Sequence, residues 1–168
     1  LTCANGGDWK RGINNTESNQ NAVVNYNYVD VSVQTGGGNH TDQYGIEVHD
    51  SEVIGDSVFV YINGSYQSDG RGIRADRSTI DSNYVNLQDH SDYYGVSYAI
   101  ESYGSSNDRS TITNNTIVAI RETRGIWASY ADIENNHIEK GPDNNNDEWA
   151  IGHGDYNVIR NNTIIGMR

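Results

Sequence analysis

Apolar and polar residues alternate along this chain in short runs. In coil-like segment 45–49, Ile46 and Val48 face one way, and Glu47 and His49 face the other. Further on, Ile73 and Ala75 oppose Arg74 and Asp76 in the same manner. Runs of this length are too short for helices and carry the two-residue period of strands. They also recur. A small residue followed by Ile stands at Gly12-Ile13, Gly45-Ile46, Gly72-Ile73, Ala99-Ile100, Gly125-Ile126 and Ala150-Ile151, with intervals of 33, 27, 27, 26 and 25 between the Ile residues. After each comes a second pattern, apolar-x-x-Asn/Ser-x-apolar. It reads Val24…Asn27…Val29, Ile54…Ser57…Phe59, Ile80…Asn83…Val85, Ile112…Asn115…Ile117, Ile133…Asn136…Ile138 and Ile159…Asn162…Ile164.

A repeat of this length, with two or three short strands, cannot bury its apolar face alone. Stacking successive repeats gives every strand parallel neighbours and one narrow continuous core. At about 4.8 Å per coil, six coils make a rod roughly 29 Å long. The Asn column has its own physical reason. A tight bend between strands leaves backbone groups without ladder partners, and a buried amide side chain donates and accepts along the stack. The expected ladder is Asn27, Ser57, Asn83, Asn115, Asn136 and Asn162, with Ser57 as its weakest rung.

These two linked periodicities resemble the right-handed parallel β-helix, the pectin-lyase-like superfamily. The resemblance covers residues 12–165 and implies an all-β solenoid of about six coils in one domain, 1–168, with 1–11 as a cap or lead-in. Function is far less specified, because members include polysaccharide lyases, glycoside hydrolases, uronate epimerases, phage tailspikes, adhesins and surface-layer proteins. Members of the superfamily usually carry an amphipathic capping helix, and this sequence shows none. Its ends are expected to be covered by residues 1–11, by a partner chain or by further sequence.

Composition narrows the functions. The chain has 168 residues, of which 35% are hydrophobic, and a net charge of −12. A solenoid accommodates so few apolar residues, since two to four inward aliphatics per coil suffice. With 23 acidic residues against 11 Lys and Arg, phosphate-backbone binding is disfavoured, so no nucleic-acid partner is expected. No apolar run approaches the ~18 residues of a membrane span. The single Cys3 excludes an internal disulfide framework. The acidic bias, with only Lys10 and Lys140 as lysines, resembles proteins of extreme halophiles and equally fits an acidic secreted protein. Sequons at Asn14, Asn39, Asn63, Asn114 and Asn161 permit an extracellular setting. The first residue is Leu1 with no leader segment before the repeat, as expected of a processed chain or a piece of a longer one.

Candidate chemistry collects on one face. The outward residue after each repeat Ile is Asn14, Glu47, Arg74, Glu101, Trp127 and Gly152. Two further on stand Thr16, His49, Asp76, Tyr103, Ser129 and Gly154. Carboxylates for hydroxyls, Arg74 for an acidic group, and the rings of Tyr103 and Trp127 for a pyranose suit a sugar. Tyr94, in the loop before the fourth repeat, adds a ring at the edge, with Tyr66, Tyr93 and Trp149 in neighbouring loops. Glu101 and Asp76 are the expected acid/base pair of a catalytic reading, at ~5–8 Å, within the range of glycoside hydrolysis. Against this stands the plain alternative that these are solvated strand residues, with Arg74 neutralising its neighbours.

Other chemistries find little support. His49 and His153 lie four coils apart, roughly 19 Å, so they share no metal ion. His90 is a loop residue within conceivable reach of Glu101, and a solvated role is expected of it. No cofactor is expected. Calcium is the one ion to consider, at Asp143–Glu148, but Glu148 stands where an EF-hand loop needs Gly, so an Asx-rich turn is expected. No nucleophile elbow or phosphate-cradling Gly-Lys-Ser/Thr occurs. The expected function is therefore an extracellular, cell-surface or virion-associated module. It would bind a polysaccharide or surface glycan on its sheet face, in an adhesive or structural role, with assembly through the rod ends as its protein contact. The alternative is a polysaccharide-degrading enzyme, a lyase, a glycoside hydrolase or a tailspike-like depolymerase.

Overall fold

The computed structural model describes residues 2–3, 10–16, 21–35, 41–64, 68–91, 96–121, 123–142 and 149–167. These form three parallel sheets that wind as a β-helix of about six coils. The first sheet in each coil, here the Ile sheet, contains β2 (Lys10–Asn15), β5 (Thr41–His49), β8 (Ser68–Asp76), β11 (Ser97–Tyr103), β14 (Thr123–Ser129) and β17 (Ile151–His153). Next comes a sheet of short strands, β3 (Val23–Asn25), β6 (Glu52–Ile54), β9 (Thr79–Asp81), β12 (Ser110–Thr113), β15 (Ala131–Glu134) and β18 (Val158–Arg160). The third sheet has seven strands: β1 (Thr2–Cys3), β4 (Tyr28–Thr35), β7 (Ser57–Gly64), β10 (Tyr84–Ser91), β13 (Thr116–Arg121), β16 (His137–Lys140) and β19 (Thr163–Ile165). Among the described residues no helix is long and apolar enough to cross a membrane.

The core consists of like on like. Ile46, Ile73, Ile100 and Ile126 stack in register on the Ile sheet, all with no exposed surface. Val53, Ile80, Ile112 and Ile133 do the same on the short sheet, and Val58, Val85, Ile117 and Ile138 on the third. Each such side chain, fully buried, contributes roughly 1.5–3 kcal/mol. The small residue before each Ile is set by the neighbouring coil. A Cβ on Gly45 would lie 2.5 Å from Gly72 O, and one on Gly72 would lie 2.5 Å from Ala99 O. The ladder pairing skips this position, as Tyr44 pairs with Arg71 and Ile46 with Ile73. The strand therefore brings a carbonyl against the small residue of the coil before it, and nothing larger than Ala occupies the column.

The second corner, between the short sheet and the third, uses two residues per coil. The first adopts the left-handed conformation: Tyr26, Gly55, Ser82, Asn114, Asn135 and Asn161 all have φ between 54° and 69°. Gly and Asn tolerate this region best, which accounts for four of the six. The second residue is the ladder rung. Asn115 donates its backbone N–H (3.0 Å) and Nδ2 (2.9 Å) to Asn136 Oδ1, and Nδ2 also donates to Ile80 O (3.0 Å). Asn83 donates likewise to Asn115, and Asn136 to Asn162. At the first coil Asn27 donates its N–H and Nδ2 to Asp56 Oδ1, at 2.6 and 2.8 Å.

Coil two thus departs from the sequence frame by one residue. Its rung is Asp56, not Ser57, and its inward pair is Val53 and Val58, not Ile54 and Phe59. Asp56 N–H still donates to Asn83 Oδ1 (2.8 Å), but a carboxylate has no N–H to give back to coil one. Burial pushes the Asp56 carboxyl up, with the Asn27 donors pulling against it. Displaced outward, Phe59 packs between Tyr28 (5.2 Å) and Tyr84 (5.6 Å) on the outer surface.

The two ends differ. Val24 and Val29 of coil one are 7% and 1% exposed, whereas Ile159 and Ile164 of coil six are 47% and 44% exposed. A ladder rung is expected to matter by its depth in the stack. Asn115→Ala should cost about 2–4 kcal/mol, because it strands the Asn83 donors in a dry corner. Asn27→Ala should cost under about 1 kcal/mol, since Asn27 is exposed. Urea denaturation of the two variants checks the ranking; equal losses would contradict it.

Candidate functional site

The outward face of the Ile sheet gathers most of the sequence-predicted residues. Register places Asn14, Glu47, Arg74, Glu101, Trp127 and Gly152 in one column. His49 and Asp76 pair in the next column, as do Tyr103 and Ser129. Tyr94 lies outside the described residues, as do Tyr66, Tyr93 and the Asp143–Glu148 loop. Among the described residues no group of three His, Cys, Asp or Glu side chains is placed to hold a metal ion.

A third column completes the face, one that the sequence patterns above did not include. It runs Arg11, Tyr44, Arg71, Tyr98, Arg124, with Trp149 at the same place before the sixth Ile. Cation and ring alternate along it. The Arg11 guanidinium lies 5.4 Å from the Tyr44 ring centre, Arg71 lies 5.0 Å from Tyr98, and Arg124 lies 5.7 Å from Tyr98 and 5.4 Å from Trp149. Such contacts contribute about 0.5–1 kcal/mol each at partly exposed sites. The signal was present in the sequence, since the residue two before each repeat Ile is Arg, Tyr, Arg, Tyr, Arg, Trp.

Charge on this face is settled locally. Glu101 Oε2 accepts from Arg71 Nε (2.8 Å) and lies 3.8 Å from Arg74 Nε, while Oε1 accepts from Tyr103 OH (3.1 Å). Asp76 Oδ1 accepts from the Tyr103 N–H (3.1 Å), and Oδ2 faces His49 Nδ1 (3.2 Å) and Arg74 Nη2 (3.9 Å). Glu47 faces Arg11 (2.8 Å) and Arg74 (4.0 Å). Arg74 therefore sits among three carboxylates, which leaves it poorly placed to capture a ligand's acidic group. Glu47, Asp76 and Glu101 are only 5%, 7% and 5% exposed. Their oxygens act as counter-ions within the face.

Burial pushes the Asp76 carboxyl up, and Glu101 adds to this, against the pull of Arg74, the Tyr103 N–H and His49. Burial and the neighbouring Glu101 push the Tyr103 phenol up to about 12, so its hydroxyl stays protonated as a donor. Burial pulls Arg71 down, but Glu101 and Asp69 more than offset it, leaving Arg71 above its ordinary value.

The lower half of the face is aromatic. Tyr98 and Trp127 lie 5.7 Å apart, and Gly152 lets the Trp127 indole pack against its backbone, where a Cβ would come within 2.5 Å of the ring. Tyr103 is 37% and Trp149 is 50% exposed. The carboxylates of this face lie in coils two to four, and its exposed rings, Tyr103 and Trp149, in coils four and six, with Arg124 between them in coil five.

Raised above its unfolded value, the Asp76 carboxyl contributes stability as the protonated form. That contribution is full below the ordinary carboxylate range and is lost as pH rises through the raised value. Asp76→Asn cannot ionise. Its stability relative to the parent chain should therefore improve as pH is taken from about 3 to 7, read from urea midpoints. A constant or worsening difference would show that the charged form is not disfavoured. No protein-family model, curated protein or solved structure matches this chain.

Proposed function

We propose that the chain is a pectin-lyase-like β-helix module that binds a polysaccharide along its Ile-sheet face, in an adhesive or structural role outside the cell or on a virion. The observation that carries this is the aromatic patch of Tyr103, Trp127 and Trp149 beside carboxylates already neutralised by arginines. Ring faces bury the C–H face of a pyranose, and the Tyr and Trp polar atoms reach its hydroxyls. With Arg74 shared among Glu47, Asp76 and Glu101, and a net charge of −12, neutral glycans are favoured over polyanions.

A second function has one specific observation behind it. A carboxyl with a raised pKa beside a second carboxyl is the arrangement of an acid/base pair. Asp76 beside Glu101 would then serve a polysaccharide-degrading enzyme. Glu101, however, already accepts from Arg71 and Tyr103, which favours a counter-ion role over acid/base chemistry.

The test is retention on, and turnover of, a panel of neutral and acidic polysaccharides at low and multimolar salt. Expected is retention on at least one neutral glycan with no new reducing or unsaturated ends. Trp127→Ala and Trp149→Ala should each weaken retention roughly 10-fold. Release of shortened chains, lost in Glu101→Gln, would replace the binding function with the enzymatic one. No retention on any polysaccharide, with the protein folded, would overturn both.

A further inference from the structure

The first corner of each coil, between the Ile sheet and the short sheet, is not uniform. After β5 the chain turns through Asp50 and Ser51, after β8 through Arg77 and Ser78, and after β14 through Tyr130 alone. After β11, residues 104–109 make the turn. The extra residues close on themselves. Ser105 N–H donates to Asp108 O (2.8 Å), and Asp108 N–H donates to Ser105 O (3.3 Å) and Oγ (3.1 Å). Gly104 N–H anchors the loop by donating to Ser129 O (2.9 Å).

In a solenoid, a turn longer than those of the adjacent coils builds a wall over its neighbours. Here it bounds a groove of about 870 Å³. The floor is the corner of coils two and three, residues 50–52 and 77–79; one wall is 21–23 and the other is Asp108 with Arg109. The volume lies within the range of small-ligand sites.

The groove's chemistry selects its occupant. Arg77 grips Asp50 through Nε (2.7 Å) and Nη2 (2.8 Å), giving a fixed, partly exposed acceptor–donor pair on the floor. Arg109 is committed to Asp132 (2.7 Å), Ala131 O (2.9 Å) and Tyr156 O (2.9 Å). The carboxylates of Glu52 and Asp108 are exposed, whereas both guanidinia are engaged. An anion finds no uncommitted cation here, and an apolar ligand finds little beyond Val23. A ligand rich in hydroxyl donors fits both the acceptors and the volume.

We propose that this corner groove binds a neutral saccharide segment of two or three rings, with the Asp50–Arg77 pair engaging adjacent hydroxyls and Glu52 and Asp108 accepting from others. The proposal rests on the saccharide function stated above but uses a different site. His49 and Asp76 on the sheet face directly precede Asp50 and Arg77, so a chain lying on the face can continue into the groove.

The experiment is amide NMR of the ¹⁵N-labelled chain titrated with cellotriose, maltotriose, mannotriose and xylotriose. Expected are shift changes at residues 50–52, 77–79 and 108 with at least one of them, and these should survive Trp127→Ala. Glu52→Ala and Asp108→Ala, both at exposed sites, should raise its Kd roughly 5-fold without moving Tm. Replacing residues 104–109 by the Arg-Ser turn of coil three should abolish the changes. Shifts confined to Tyr98, Trp127 and Trp149 would overturn the groove and leave the sheet-face function standing. Silence at the groove with all four sugars also overturns it, while polysaccharide retention decides the sheet-face function separately.

Discussion

Everything in this molecule depends on the distance between one coil and the next. A β-helix has no second layer to pack against, so each coil is positioned only by its neighbours. The parallel ladders fix that spacing, and two columns make it uniform. Where Gly12, Gly45 and Gly72 stand, a Cβ would come within 2.5 Å of a carbonyl of the next coil. Where Asn83, Asn115 and Asn136 stand, an amide ties the corner backbone of one coil to the next. One column forbids bulk and the other demands hydrogen bonds. Together they hold outward side chains of six coils in straight files, without which neither the sheet face nor the corner groove would exist.

Those files explain why the face carries so many charged groups at so little cost. Side chains on adjacent coils stand about 4.8 Å apart at their bases. At that spacing a cation placed over a ring, or between carboxylates, meets its partner without rearrangement. Arg71 and Arg74 together hold Glu101, and Arg74 and His49 flank Asp76. Breaking such a set by removing one member leaves the others buried and unmatched, so the cluster behaves as a unit.

The coil count and the rungs Asn83, Asn115, Asn136 and Asn162 were legible in the sequence because each recurs with an Ile, whereas stretches such as residues 31–34 carry weaker patterning and left the third strand open. The second coil was not legible. Val53 and Ile54 are both apolar and Asp56 and Ser57 both polar, so the pattern accepts either frame, and only the register against Ile80 separates them. The site was partly legible: parity placed Glu47, Arg74, Glu101 and Trp127 in one file correctly, but not the engagement of their charges, which depends on side-chain reach. The groove was hidden for a different reason. Its wall is a non-repeating insertion, and a periodic reading treats residues 104–109 as an interruption rather than as architecture.

The alternation of Arg and aromatic residues in the third column has an electrostatic consequence. Cations in that file recur every second coil, about 10 Å apart, which is near the Debye length at 0.1 M salt. Their mutual repulsion is thus already faded at ordinary ionic strength, while each contact with a ring or carboxylate is too short for dissolved ions to enter. Added salt has little left to screen. The face keeps its polarity from ordinary ionic strength to brine, and added salt is felt mainly by the carboxylates spread over the rest of the rod.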